Sequence, residues 1–411
     1  MKRISLGRIF PLTTLALLAI LPGCTTKTEA PWEKFAETSP GYQATPNSGR
    51  AWDDLLIAAD SATKAAEKYS NKADLRDVEI PAFVATTKAA ADQAARAATL
   101  PAQFSFIPHD PFLPRPHHRG ITVIGTNYGY QIQTAGQTGA ANSAATSIIA
   151  AHRLATVLSH GDAQDAMLGH WIAANARTKA ATLIHKMDAS TLNQMGETIL
   201  ASLEQLPSPN QTVENELKNM RLSVQVIQDA YREKQTELLH KAFYKQAAPA
   251  IEHLQNLRAS DRPDYFKNFA AEANQFAEIA KAELAQPVAE RKPRNLNFSG
   301  ERPWRRFSQH LFTIVLTYVD SHDQHLTRSR LFALTCLALA AGKSTGLAPK
   351  QFNTAPKAQL LDPFSGQPFP YQTAEREFKI YSVGKNGRDD GGETNALGLE
   401  PDLVIEPPEQ N

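Results

Sequence analysis

The residues best suited to chemistry gather near the end of the chain. Asn386, Asp389, Asp390, Glu393 and Asp402 offer oxygen donors, and Gly391 and Gly392 leave room for backbone carbonyls to approach an ion. Calcium takes roughly six to eight oxygen ligands of this kind, so a calcium site is one expectation for this loop. It is not an EF-hand: counting from Asn386, the third position is Arg388, and the twelfth is Leu397 where a glutamate would be needed. The same residues also make a solvated acidic turn with Lys385 and Arg388 as partners, and spacing alone leaves both open.

Imidazoles offer a second chemistry. His109, His117 and His118 lie beside Asp110 in a proline-rich stretch, where no regular element spaces them as metal ligands, so exposed loop histidines are expected. Asp320, His322, Asp323 and His325 form another group. His322 and His325, three apart, share one face of a helix as a metal pair must. A zinc site needs a further ligand that the sequence does not point to, and a polar helix face is the expectation. Arg291, Lys292, Arg294, Arg302, Arg305 and Arg306 crowd together with Trp304 and Phe307, a mixture that suits anionic lipid or nucleic acid. Catalytic motifs are missing: there is no Gly-x-Ser-x-Gly elbow, no His-Glu-x-x-His and no phosphate loop.

Export argues against nucleic acid as a partner. Residues 1–23 have a basic head with Lys2, Arg3 and Arg8, an apolar middle from Ile9 to Leu21, and then Pro22-Gly23 before Cys24. That is the build of a secretory signal peptide, too short to be a membrane span. Leu21-Pro22-Gly23-Cys24 resembles the bacterial lipobox, which implies cleavage before Cys24 and diacylation of its thiol. The acyl chains, palmitate among them, would hold the protein on the membrane. Thr25 and Thr26 follow in place of the aspartate that retains lipoproteins in the inner membrane, so the outer membrane is favoured, facing the periplasm or the surface. Loss of three cations with the signal takes the formal charge from +1 to −2. Cys336 then has no partner, and its leucine neighbours Leu334, Leu337 and Leu339 predict a buried, inert thiol.

The elements that must position these groups are mostly helical. Residues 24–50 read as a tether with Pro31, Pro40 and Pro46, and 51–345 as a helical domain. Trp52, Leu55, Leu56, Ala59, Ala62 and Ala66 share one helix face, and Pro81 opens a second helix ending near Thr99. Residues 101–120, rich in proline, are expected to be an extended connector. Ile121–Thr134 is ambiguous between helix, strand and irregular chain, because Ile121, Val123 and Ile124 favour strand while Gly125 and Gly129 interrupt it. Asp162 caps a helix with a stripe of Leu168, Ile172, Ala176, Leu183 and Met187, and Ser190 caps the next. Thr212 opens a long helix, Phe266, Phe269 and Phe276 mark another, and Arg305–Ala341 gives the most apolar one. In residues 346–411, Phe378-Lys379-Ile380-Tyr381-Ser382-Val383 alternates as a strand, paired as a hairpin with one near Phe369–Gln372. The expected fold is therefore mainly α, an irregular multi-helix bundle or array with a small C-terminal β-hairpin.

The tail carries a resemblance. Asp362-Pro363-Phe364-Ser365-Gly366, Tyr371, Tyr381-Ser382-Val383-Gly384 and Asp389-Asp390-Gly391-Gly392 resemble the C-terminal segment of type II secretion major pseudopilins, whose corresponding loop holds calcium. The tail, with the Ala51-Trp52-Asp53-Asp54-Leu55 opening, is also similar to secreted helical proteins of planctomycetes and verrucomicrobia, a resemblance that covers most of the mature chain, is specific only in the tail and brings no known activity with it. A pseudopilin has its membrane helix at the N-terminus, and this chain has a lipobox there, so the resemblance implies a reused tail and not a pilus subunit.

The expected role is a lipid-anchored envelope protein of non-enzymatic binding or scaffolding type, with an envelope protein as a possible partner. The alternatives are a hydrolase acting on envelope polymers from a groove between helices, and a docking component for a secretion or pilus-like partner.

Overall fold

Along α1 (Ala51–Ala65) the buried positions are Ala51, Trp52, Leu55, Ala58, Ala59 and Ala62, a helical stripe made largely of alanine. The same economy recurs on α2 (Ile80–Ala97) with Ala90, Ala91, Ala94 and Ala97. Small side chains on facing stripes let helix axes approach closely, and the architecture follows from that. The computed structural model describes residues 50–69, 75–101, 115–232, 248–286, 288–291, 304–352, 355–374, 377–392 and 402–405. The signal peptide, Cys24, the tether and Glu393 lie outside the described residues, as do most of the connector and of the basic stretch before Trp304.

The body continues through α3 (Pro116–Gln137), α4 (Ala144–Ser159), α5 (Ala163–Ala180), α6 (Ala189–Glu204), α7 (Pro209–Arg232), α8 (Ala248–Gln255), α9 (Arg262–Leu284) and α10 (Arg305–Thr345). Two apolar clusters organise it. One joins α1 to α6 with the C-terminal half of α10, around Ile121, Ile124, Ile148, Leu154, Met195 and Phe332. The other joins α7, α8 and α9 to the N-terminal half of α10, around Leu217, Phe269, Phe276 and Tyr318. Each such buried aliphatic or aromatic side chain contributes about 1.5–3 kcal/mol. At 41 residues α10 runs about 60 Å, long enough to serve both clusters. Gly346, with φ of 78°, ends it in the left-handed conformation that favours glycine. Among the described residues no helix is long and apolar enough to cross a membrane.

The ambiguous segment is a full helix. It begins at Pro116, so the last residues assigned to an extended connector are its first turn. Its glycines do not break it; they let it sit at the centre of the bundle. A Cβ on Gly120 would lie 1.8 Å from the Ala59 carbonyl oxygen of α1, and one on Gly125 would lie 2.6 Å from Ile172 of α5. The cost of each helical glycine, about 1 kcal/mol relative to alanine, is offset by this close packing. Two smaller expectations are also corrected. Asp188, and not Ser190, caps α6 by accepting from the Thr191 N–H at 2.7 Å. Helix α5 ends at Ala180, so Leu183 and Met187 are buried in the turn beyond it.

The tail forms the expected hairpin. β1 (Tyr371–Ala374) and β2 (Glu377–Ser382) pair antiparallel with Tyr371 opposite Ile380, and the short β3 (Leu403–Val404) adds to β2. Asp362 organises its base: Oδ1 accepts from the Phe364 N–H and the Ser382 hydroxyl, and Oδ2 from the Val383 N–H, all at 2.9–3.0 Å. Arg330 of α10 donates to Gln359 Oε1 and to the Leu361 carbonyl, both at 2.8 Å, and Phe369 and Ile380 enter the larger apolar cluster. The hairpin is thus docked on the last helix.

Candidate functional site

The loop expected to hold calcium is ordered by its own carboxylates. Asp389 Oδ1 accepts from the Tyr381 hydroxyl at 2.9 Å and the Gly391 N–H at 3.0 Å. Asp402 Oδ2 accepts from the Asp390 N–H at 3.0 Å and the Gly392 N–H at 2.7 Å. Asn386 Nδ2 donates to Asp390 at 3.0 Å. Asp389, Asp390 and Asp402 are therefore brought together, while Lys379 Nζ already occupies the Gly391 carbonyl. Asp402 is buried, and among the described residues its Oδ1 has no hydrogen-bond partner. Lys385, one of the expected partners, instead lies 3.6 Å from Asp320 of α10.

A second centre was only partly legible in the sequence. Pro116 fixes its own φ and restricts Arg115 before it to extended backbone, so α3 starts abruptly and puts His117 and His118 in its first turn. Asp162 caps α5 as expected, its Oδ1 accepting from the N–H groups of Gln164 at 2.9 Å and Asp165 at 3.1 Å. That places Asp165 on the first turn of α5, facing the first turn of α3. His117 Nε2 lies 2.9 Å and His118 Nε2 2.7 Å from the same oxygen, Asp165 Oδ1. Arg115 is bonded to Asp162, and its Nη1 lies 3.6 Å from Asp165 Oδ1. Trp52 of α1 meets the His117 ring edge-on at 5.7 Å.

Helix α7 closes the centre from the other side with Thr212, Asn215, Glu216 and Asn219, one helical face. Thr212 donates to the Ser159 carbonyl at 3.1 Å and Asn215 to the Gly161 carbonyl at 2.8 Å. Asn219 donates to Asp162 Oδ2 at 2.8 Å, and Glu216 accepts from the Ala163 N–H at 3.3 Å. The spacing of 212, 215, 216 and 219 groups these residues on one helical face beside the apolar one, but such a polar face ordinarily reads as solvated, so its burial was not legible in the sequence. Burial, with the charge of Asp162 adding to it, pushes Glu216 up to about 8. Burial also works against Asp165, but His117, His118 and Arg115 outweigh it and hold this carboxyl well below the usual range. For His118 burial wins over the pull of Asp165, and its value is lowered.

His322 and His325 of α10 are not on a polar face. His322 and His325 are buried, and His325 stacks on His170 of α5 with ring centroids 4.3 Å apart. His152 of α4 lies against Phe332 at 6.2 Å, and His170 Nδ1 is 2.8 Å from the Ser321 hydroxyl. Burial pushes His152, His170 and His325 far below the ordinary histidine value and His322 down to about 4. The neighbouring Arg177, donating to Ser329 at 2.7 Å, is lowered by burial to about 9. Asp323, also buried, pairs with Arg291 at 2.5 Å, whereas Asp320 is exposed. Cys336 is a buried free thiol, as its leucine neighbours imply, and burial raises its value.

Two clefts open on the described surface. One of about 560 Å³ lies between α6 and the end of α10, lined by Ser190, Asn193, Leu337 and Phe352; the other, of about 470 Å³, is lined by Pro81, Val84, Lys88 and Gln131. Neither collects a carboxylate, an imidazole or a thiol. No family model, no curated protein and no solved structure matches the chain.

Proposed function

We propose that this chain is a lipid-anchored protein of the bacterial cell envelope, held at the outer membrane through Cys24, that acts by binding or scaffolding and not by turnover. The observation that supports a binding role is the lining of these two clefts, where Leu337, Phe352, Val84 and several alanines lie beside Ser190, Asn193, Gln131 and Lys88. A hydrolase of envelope polymers working from a groove between helices would need converging carboxylates there. The anchor rests on the lipobox resemblance, and labelling tests it: wild-type chain should incorporate radiolabelled palmitate and sediment with outer membranes, and Cys24→Ser should do neither. An unlabelled wild-type chain would refute the anchor.

The tail loop is the element we assign to calcium, with Asp389, Asp390, Asp402, Asn386 and Glu393 as the candidate ligands. The unpartnered Oδ1 of buried Asp402 supports this, because a buried carboxylate oxygen with nothing to accept is costly and a hard cation would satisfy it. Calcium would displace Lys379 from the Gly391 carbonyl. Saturable calcium uptake, lost in the Asp389→Ala/Asp390→Ala variant, is the expected calorimetric result; no heat and no shift in melting temperature would leave a plain acidic turn. The exposed tip at Asp389 and Asp390 also suits docking to a secretion or pilus-like envelope partner. Crosslinking in intact cells, with and without the same double substitution, tests it.

A further inference from the structure

We propose that His117, His118 and Asp165 form a site for a borderline first-row divalent cation of the zinc class, separate from the tail loop and independent of the role proposed above. The donor atoms of these three residues all lie within 4.8 Å of one another. They come from two helices whose first turns are fixed by unrelated devices, Pro116 at the start of α3 and the Asp162 cap of α5. Tetrahedral zinc with ligands at about 2.0–2.2 Å separates its donors by about 3.3 Å. The two imidazole nitrogens, 2.9 and 2.7 Å from Asp165 Oδ1, would open from it by a few tenths of an ångström and draw toward each other, from a separation within 4.8 Å, to admit the ion.

The local charge asks for a cation. Asp162, Asp165 and Glu216 are all buried carboxyl groups. Among the described residues, Arg115 is the guanidinium that bonds or approaches two of them, and Asn219 adds only a neutral amide. Asp162 and Asp165 against Arg115 leave the centre one positive charge short, before Glu216 is counted. Among the described residues, Glu216 Oε1 and Arg115 Nη2 are buried without partners, which marks the packing of these residues around the carboxylates as incomplete. Asp165 itself is 3% exposed, while the side chains of His117 and His118 are 18% and 21% exposed, so the open side of the site is the histidine side, where an ion and its remaining water ligands would enter.

The donor set selects the class. Two imidazoles and one carboxylate suit zinc, cobalt, nickel or ferrous iron, whereas calcium and magnesium prefer oxygen throughout. On binding, the hydrogen bonds from the two Nε2 atoms to Asp165 break, and in each neutral ring the single proton moves from Nε2 to Nδ1 by exchange with water, so no net proton is lost from a neutral pair. The ion would staple the start of α3 to the start of α5, with Trp52 of α1 against the His117 ring.

The test uses the full chain purified in detergent and stripped with chelator. Zinc and cobalt are titrated separately by calorimetry, with the cobalt visible spectrum followed in parallel and calcium as the hard-ion control. One zinc or cobalt per chain is expected, with visible cobalt bands of low-symmetry nitrogen and oxygen ligation and a raised melting temperature. His118→Ala should weaken zinc at least thirtyfold while leaving the helical circular dichroism intact, and His117→Ala/His118→Ala should abolish binding. Asp389→Ala/Asp390→Ala should leave zinc affinity unchanged, which separates this site from the tail. Absence of saturable zinc and cobalt binding by the folded chain, or unchanged affinity in the double histidine variant, would overturn the proposal.

Discussion

Acid should unfold this protein through its interior. His152, His170, His322 and His325 are buried and remain neutral in the folded chain well below the ordinary histidine value, with His322 down to about 4. In the unfolded chain each titrates near pH 6.5, so below about that pH the unfolded state binds more protons and stability falls as pH falls. Between about pH 7 and 5.5 each such histidine removes about 1.2 kcal/mol, and the four together about 5 kcal/mol. Glu216 works in the opposite sense. Its folded value of about 8 lies above the ordinary 4.5, so over this window the folded state is the one that gains a proton, and acidification returns about 2 kcal/mol. The net loss is about 3 kcal/mol, a large part of the 5–15 kcal/mol, roughly, that holds a typical domain together. Urea melts of chelator-treated protein at a series of pH values measure it directly. Glu216→Gln should steepen the loss toward about 5 kcal/mol, and His325→Phe in the otherwise wild-type chain should shrink the net loss of about 3 kcal/mol by about two fifths. A urea midpoint that stays constant from pH 7 to 5.5, or ring resonances of these histidines titrating near pH 6.5, would refute the burial argument.

Three further outcomes follow from particular contacts. Asp362→Ala strands the Val383 and Phe364 N–H groups and the Ser382 hydroxyl, at about 2–3 kcal/mol, and should free the hairpin for limited proteolysis before the helical body is cut. Gly120→Ala forces a methyl against the Ala59 carbonyl and should cost about 3 kcal/mol in urea unfolding, the more because that neighbour is backbone and cannot swing away. In a Cys24→Ser chain, Cys336 should resist a thiol reagent in native buffer and react only as fast as the protein unfolds; rapid labelling would mean the helix around it opens locally.

Helical periodicity made most of the body legible, because an amphipathic stripe is a local property. The failures were long-range. Residues 121–134 stay open between a helix and an irregular segment, because Ile121, Val123 and Ile124 favour strand and Gly125 interrupts it, until α1 and α5 are seen pressing on the same helix, where glycine is the residue that fits. His322 and His325 looked like a polar face because their partners, His152 and His170, lie far away in the chain on α4 and α5. The metal-competent triad was half visible: His117 and His118 stood out, but nothing near them in sequence pointed to Asp165 on another helix. In the tail the turn residues around Asp362 and the alternation of β2 sufficed for the hairpin, since both are set by neighbours within a few positions.

The length of α10 has a consequence for the order in which the molecule can come into being. Its C-terminal half supplies Leu331, Phe332, Leu334 and Leu337 to the cluster built by α1 through α6, and its strongest packing is against α6, more than a hundred residues earlier. Until those residues leave the ribosome, the six N-terminal helices form a bundle with an open apolar trough along α4, α5 and α6. Closure of that trough joins segments far apart in the chain, which is slow, and the unfinished bundle is adhesive in the meantime. A chain built this way keeps part of its core unfinished until its last helix arrives.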